Sequence, residues 1–243
     1  MSTFRAFRVE EKDGEFVSQI RDVSFDRLPD NAVTVRVVYS ALNYKDALSA
    51  TGNRGVTKTY PHTPGIDASG VVTESKDSRF KPGDEVIVTS YDLGMNTPGG
   101  FAEYIRVPVE WVVPLPEGLS LREGMILGTA GLTAAMCIEA LEENSLTSPV
   151  LVTGSSGGVG SIAVALLSKI GYDVIASTGS EESHDLLKKL GAKQIIHRSE
   201  LSQPNDKPML KPLYGGAVDA VGGETLTNVV KSLQPGSSVA ACG

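Results

Sequence analysis

The pattern of apolar and polar positions changes character part-way along the chain. In the first half, short β-branched or alternating runs occupy residues 32–40, 68–73, 85–89 and 102–107. Turn-forming segments separate them, namely Leu28-Pro29-Asp30-Asn31, Lys81-Pro82-Gly83-Asp84 and Asn96-Thr97-Pro98-Gly99-Gly100. Short strands broken up by turn chemistry in this way predict a barrel-like or sandwich-like unit whose loops carry function. Beyond Pro114-Leu115-Pro116-Glu117-Gly118 the period lengthens to that of helices, at 120–127 and 129–141. From Val150 onward, strand patterns at 150–152, 173–177, 194–196, 217–221 and 238–241 are interleaved with helical patterns at 161–170, 183–190 and 224–233. That alternation predicts a parallel sheet covered by helices. The expected organisation is a β-rich domain over residues 1–118 and an α/β domain over 119–243, joined at the proline- and glycine-rich segment.

The most informative stretch in the second half is Val152-Thr153-Gly154-Ser155-Ser156-Gly157-Gly158-Val159-Gly160-Ser161. An apolar strand running into a glycine-rich turn and then an apolar helix can cradle a dinucleotide pyrophosphate. The glycines let the backbone turn sharply and approach the phosphates, and the free N–H groups at the helix start carry partial positive charge. Ser155 stands where the plain dinucleotide fingerprint has its first glycine. The same residues fit the Thr-Gly-x-x-x-Gly-x-Gly pattern of short-chain dehydrogenases. That alternative falls because no tyrosine after Gly160 is followed four residues later by lysine.

A doubly wound dinucleotide domain has six strands in two halves, and five are countable before Gly243, so the chain reads as interrupted at its C-terminal end. After the second strand a site for NAD usually places an acidic residue against the adenosine ribose. Here the strand ends Ala176-Ser177-Thr178-Gly179-Ser180, with hydroxyl and backbone donors and no carboxylate. That removes a charge that would repel a 2′-phosphate and favours NADPH.

Charge and cysteine content narrow the classes of partner. With 22 basic and 29 acidic residues the net charge is -7, which argues against a general nucleic-acid or anionic-membrane binder. The N-terminal residues lack the apolar core of a signal peptide, and no apolar run is expected to span a bilayer, so the expected location is cytoplasmic. Cys137 and Cys242 are the only cysteines, far apart, which speaks against a disulfide framework or a cysteine-based zinc site; buried free thiols are expected. His62, His184 and His197 show no short-spaced ligand pattern and are read as structural or solvated.

Taken together, Leu42-Asn43-Tyr44-Lys45-Asp46, Pro64-Gly65-Ile66-Asp67, Gly128-Thr129-Ala130-Gly131-Leu132-Thr133-Ala134, the glycine loop, Ser177-Thr178-Gly179, Gly191-Ala192 and Gly216-Ala217-Val218-Asp219 resemble the medium-chain dehydrogenase/reductase superfamily. The resemblance is to its zinc-independent quinone oxidoreductase branch, the YhdH/YhfP group that includes acryloyl-CoA reductases. It implies an N-terminal GroES-like β-barrel domain and a C-terminal Rossmann domain with a doubly wound parallel sheet. It also implies a homodimer where the C-terminal part of the fold is present. In zinc alcohol dehydrogenases a cysteine lies at the Asn43-Tyr44 segment and a Gly-His-Glu motif at Gly65-Ile66-Asp67. Isoleucine cannot ligate zinc, so the Lewis acid that alcohol oxidation needs has no protein ligands here.

The chemistry left is hydride delivery from a nicotinamide to an already electrophilic carbon, or to a quinone, with the acceptor positioned and the developing enolate stabilised. Tyr44 and Asn43 are the candidate catalytic residues. The Tyr44 phenol can donate to the nicotinamide amide or a substrate carbonyl, or supply a proton; the alternative is that Asn43 caps a short helix and Tyr44 packs in the core. The resemblance further implies cofactor contacts from Tyr44, from Ser156, Gly157, Gly158 and Val159 at the pyrophosphate, from Thr178, Gly179 and Ser180 near the adenosine phosphate, and from Arg198, whose guanidinium suits a 2′-phosphate. Many relatives carry arginine where this chain has Ser180. Asp67 is read as satisfying backbone donors at a turn, and the glycine-rich loop 91–101 as bordering the substrate cleft. The expected activity is NADPH-dependent reduction of an activated C=C bond in a small molecule such as an enoyl thioester. Quinone reduction is the near alternative, and a non-catalytic NADPH-binding sensor the alternative of another class.

Overall fold

The computed structural model describes residues 2–243. They form two compact units, one running through Thr129 and the other from Ala130 to Gly243. The first opens with a hairpin, β1 (Thr3–Lys12) and β2 (Glu15–Ser24), turned at Asp13-Gly14 with φ of 52° and 83°. Aspartate and glycine tolerate the positive φ that such a two-residue turn requires. Its second sheet has the order β6-β3-β4-β5-β7, all antiparallel, from β3 (Val33–Tyr39), β4 (Asp67–Ser75), β5 (Glu85–Thr89), β6 (Tyr104–Val107) and β7 (Val112–Pro114). Val33, Val35, Val72, Val86, Val88, Ile105 and Val107 project from these strands into one core, as the alternation predicts. The short helix α1 (Tyr44–Ala50) follows β3. This is the GroES-like β unit.

Pro114 of the expected linker closes β7, and its residues 115–118 lie between β7 and α2 (Leu121–Glu143). By length and composition α2 is the one described helix apolar enough to cross a membrane, a feature the sequence pattern did not lead us to expect. Gly128, with φ 47° and ψ -152°, breaks it between the two helical patterns read from the sequence. Neither part, 121–127 or 129–143, reaches the ~20 residues a span needs. Ala134, Cys137, Ile138 and Leu141 from the second part are buried in the core of the second unit.

That unit has a five-stranded sheet of order β10-β9-β8-β11-β12, all parallel: β8 (Val150–Val152), β9 (Val174–Thr178), β10 (Gln194–His197), β11 (Gly216–Asp219) and β12 (Val239–Ala241). Counted in chain order this is 3-2-1-4-5, the order of a Rossmann sheet, with its switch point beside β8. Helices α3 (Gly158–Lys169), α4 (His184–Lys189), α5 (Ser199–Ser202) and α6 (Gly223–Lys231) connect the strands. Val150, Val152, Val164, Leu167, Val174 and Val218 are fully buried between sheet and helices, so the apolar runs are the two-sided burial of a parallel strand. Cys137 is a buried free thiol as expected, but Cys242 is exposed, because it follows β12 at the sheet margin.

Candidate active site

In the second unit, β8 ends in the glycine loop at the switch point. Gly154 takes φ 57° and its carbonyl accepts from Gly157 N–H at 2.9 Å, closing the turn. Helix α3 starts at Gly158, earlier than the sequence pattern indicated, because Gly157 itself is the N-cap. No side chain caps that end, which leaves the first-turn N–H groups of Gly158, Val159 and Gly160 for an anion. A Cβ on Gly160 would lie 2.3 Å from the Gly154 oxygen and 2.6 Å from Ser155 Cα, so the helix can start this close to the strand only with glycine there. Ser156, Gly157 and Gly158 are exposed on the rim of the loop, and Val159 is half-buried, its side chain against the unit's core.

The end of β9 is tied to the same loop. Ser155 donates from N (3.1 Å) and Oγ (2.9 Å) to the Ser177 carbonyl, Thr178 Oγ1 donates to Ser156 Oγ at 3.1 Å, and Ser180 N–H donates to Thr178 Oγ1 at 3.1 Å. Arg198, just after β10, donates its N–H to the Thr178 carbonyl at 2.9 Å. Its side chain lies across Gly179: a Cβ there would meet Nε at 2.5 Å and Cδ at 2.7 Å. The guanidinium is exposed and has no ion-pair partner among the described residues. Residues 156–159, 178–180 and Arg198 thus come together beyond the carboxyl ends of β8, β9 and β10. Thr153 Oγ1 donates to Asp219 Oδ1 at 2.6 Å and Gly222 N–H donates to Asp219 Oδ2 at 2.7 Å, which holds the opposite side of the loop.

In the first unit, Asn43 is the N-cap of α1 and Tyr44 its first residue. Tyr44 is 80% exposed and Leu42 87% exposed, so Tyr44 does not pack in the core. Asn43 is held from both ends. Its N–H donates to Asp46 Oδ2 at 2.8 Å, and its Nδ2 donates to Asp67 Oδ2 at 2.9 Å. Asp46 is buried, and its Oδ1 also accepts from Gly65 N–H (3.0 Å) and Ile66 N–H (2.9 Å). Burial pushes the Asp46 carboxyl above the usual range, and the donated N–H groups partly offset this.

Asp67 departs from the sequence reading. It is fully buried, and it takes only one backbone donor, Thr129 N–H at 2.9 Å. Its other donors are side chains: Asn43 Nδ2, Thr129 Oγ1 at 2.7 Å, and Thr89 Oγ1. Its partners lie 22, 24 and 62 residues away, so no local pattern announces the cluster. Its one sequence-level signal is an aspartate opening an apolar strand, at Ile66-Asp67-Ala68.

The loop at 91–101 is pinned to the segment before β4, with Gly99, Gly100 and Phe101 donating N–H to the Thr63, Gly65 and Pro64 carbonyls at 2.8, 2.7 and 3.0 Å. Phe101 joins Phe7, Leu42, Asn43, Asp46, Ala47 and Ala50 around an apolar cavity of about 550 Å³ beside α1.

Comparison with known proteins places these features. Residues 29–117 match the alcohol dehydrogenase GroES-like domain, and residues 158–243 match the zinc-binding dehydrogenase model, a segment that excludes Asn43, Ile66 and Asp67. The chain is 46% identical to the putative quinone oxidoreductase YhfP of Bacillus subtilis, over 100% of this chain and 75% of that protein. The chain belongs to the quinone oxidoreductase-like branch of the medium-chain dehydrogenase/reductase superfamily. It is 45% identical to the acrylyl-CoA reductase AcuI of Ruegeria pomeroyi, over 96% of this chain and 72% of the relative. Among solved structures, yhdH oxidoreductase from Salmonella enterica in complex with NADP matches with a TM-score of 0.94 at 45% identity, covering 98% of this chain and 74% of that one. Bacillus subtilis yhfP with NAD bound matches with a TM-score of 0.95 at 45% identity, covering 100% and 75%.

Proposed function

We propose that the chain is an NADPH-dependent reductase that delivers hydride to the β-carbon of a C=C bond conjugated to a thioester or ketone carbonyl. The observation that carries the reading is the junction of the glycine loop with the end of β9. An uncapped helix start, a glycine packed against backbone, and a free guanidinium lying on Gly179 fit a pyrophosphate and a 2′-phosphate. The relatives named as an acrylyl-CoA reductase and as binding NADP support the same assignment.

When bound, NADPH supplies the hydride. The residues of the chain supply the rest. The N–H groups at Gly158 to Gly160 and the Ser156 hydroxyl would hold the diphosphate, the turn at Thr178 to Ser180 would lie near the adenosine phosphate, and Arg198 would hold the 2′-phosphate. Asn43 and Tyr44 orient the acceptor carbonyl, and the Tyr44 phenol donates a hydrogen bond to the oxygen on which charge builds as the β-carbon gains hydride. The α-carbon then takes a proton from Tyr44 Oη or from water, so that one hydride and one proton have been added across the double bond. Oxygen-directed donors, not a metal, stabilise the enolate, in keeping with Asn43 and Ile66 at the positions where zinc dehydrogenases carry ligands.

A second acceptor class, a quinone, is favoured by the apolar cavity beside α1 and by the name of the YhfP relative. Stopped-flow loss of NADPH absorbance with acryloyl-CoA and with a benzoquinone decides between them. Faster turnover of the thioester supports the main reading, faster turnover of the quinone the second, and consumption by neither sinks both.

A further inference from the structure

Asp67 is a carboxylate with no exposed surface and no cation within ion-pair distance among the described residues. A buried charge of this kind is costly unless every lone pair is met. Here four donors meet it, from Asn43, Thr89 and both the main chain and side chain of Thr129. The Thr89 and Thr129 hydroxyl oxygens lie 2.9 Å apart, so the end of β5 and the break in α2 meet at this carboxylate. Even the backbone is shaped around the group. Gly128 takes φ 47°, and a Cβ there would sit 2.6 Å from Asp67 Oδ2. After Thr89, both Ser90 and Tyr91 adopt positive φ, 67° and 52°, an uncommon conformation for non-glycine residues that accumulates where function over-determines geometry.

The consequence falls on Asn43. With Nδ2 committed to Asp67 and the main-chain N–H committed to Asp46, the amide is fixed in one orientation beside exposed Tyr44. A neutral group in place of Asp67 would let the amide turn over. We infer that Asp67 is a positioning residue, which acts through Asn43 to set the amide orientation and the start of α1 that carries the acceptor-binding face. This inference rests on the reductase reading above.

The test is a double-mutant cycle on turnover with Asp67→Asn and Asn43→Ala, using the full chain, NADPH and whichever acceptor the wild type reduces. Asp67→Asn keeps shape and lets the threonine hydroxyls reverse, so the fold has a route to tolerate it. The expected result is a fall in kcat of roughly 10- to 100-fold in each single variant, with the NADPH Kd within about twofold of wild type. The double variant should then fall no more than about twofold below the worse single, because both changes remove one function. Multiplied losses in the double variant, or an unaltered kcat in Asp67→Asn, overturn the inference. Where Asp67→Asn does not fold, Thr89→Val removes one donor instead, and its kcat loss must likewise vanish in the Asn43→Ala background. A wild type that reduces no acceptor of either class overturns the reductase reading itself, and with it the role assigned to Asp67.

Discussion

Arg198 can be removed from its position by two independent routes. The first is Arg198→Gln, which deletes the charge. The second is Gly179→Ala, which leaves the charge but places a methyl 2.5 Å from Nε and 2.7 Å from Cδ, so the guanidinium must leave its seat. Gly179 does not hold a left-handed φ, so alanine brings no backbone strain of its own. Hydrogen bonds to a charged group contribute ~1.5–3 kcal/mol net. Arg198 is exposed and solvent screens it, so ~1–2 kcal/mol is the fitting range. That corresponds to a rise in NADPH Kd of roughly 5- to 30-fold for Arg198→Gln, with a smaller rise for Gly179→Ala because the flexible side chain retains some access to the ligand. NADH lacks the 2′-phosphate, and its Kd should move by less than about twofold in either variant. Fluorescence titration of both nucleotides at one fixed ionic strength measures this, and the loss should shrink as salt is raised. Equal weakening of NADPH and NADH, or an NADPH Kd untouched by both substitutions, refutes the placement of the phosphate on Arg198.

Two further outcomes follow from the geometry. Gly160→Ala drives a methyl into the Gly154 carbonyl and Ser155 Cα, both backbone, so the loop must shift. A loss of ~1–3 kcal/mol of stability in urea unfolding is expected, together with at least a roughly tenfold weaker NADPH Kd; wild-type behaviour in both contradicts the close-approach argument. His62 is buried with Nε2 2.9 Å from the Gly94 carbonyl, and burial holds its pKa below the usual 6.5. The unfolded ring takes up a proton near pH 6.5 while the folded one does not, so stability contributed by the neutral ring is lost as pH falls from there toward the folded pKa. Relative to His62→Gln, the wild type should lose up to ~1.4 kcal/mol per pH unit below about pH 6.5. A flat difference in urea midpoint from pH 7 to 5 disproves this.

The second unit was largely legible in the sequence because its signals are local. Val150 to Val152 is an uninterrupted apolar run ending in glycines, and the helical patterns either side of Gly128 are separated in the structure by the backbone break at that residue. The hairpin β1–β2 was missed although Lys12-Asp13-Gly14-Glu15 is a two-residue turn signal. Most of β2 is exposed on both faces, so its residues carry no apolar alternation to flag a strand. Tyr44 could not be assigned to core or surface from a seven-residue helix with apolar neighbours; its exposure settles that point. Asp67 was legible only as a turn residue, because the donors that define it come from β5, the start of α1 and the break in α2, and only tertiary structure brings them together.

The most direct test of the account follows the hydride itself. NADPH carrying deuterium at C4, prepared in its two stereospecific forms, is supplied with acryloyl-CoA, and the acyl product is read by mass spectrometry and NMR. One form should yield a propionyl thioester with a single deuterium on the β-carbon and a solvent-derived proton on the α-carbon, and the other form should yield none. A product without deuterium from either form, or label on the α-carbon, contradicts hydride delivery to the β-carbon.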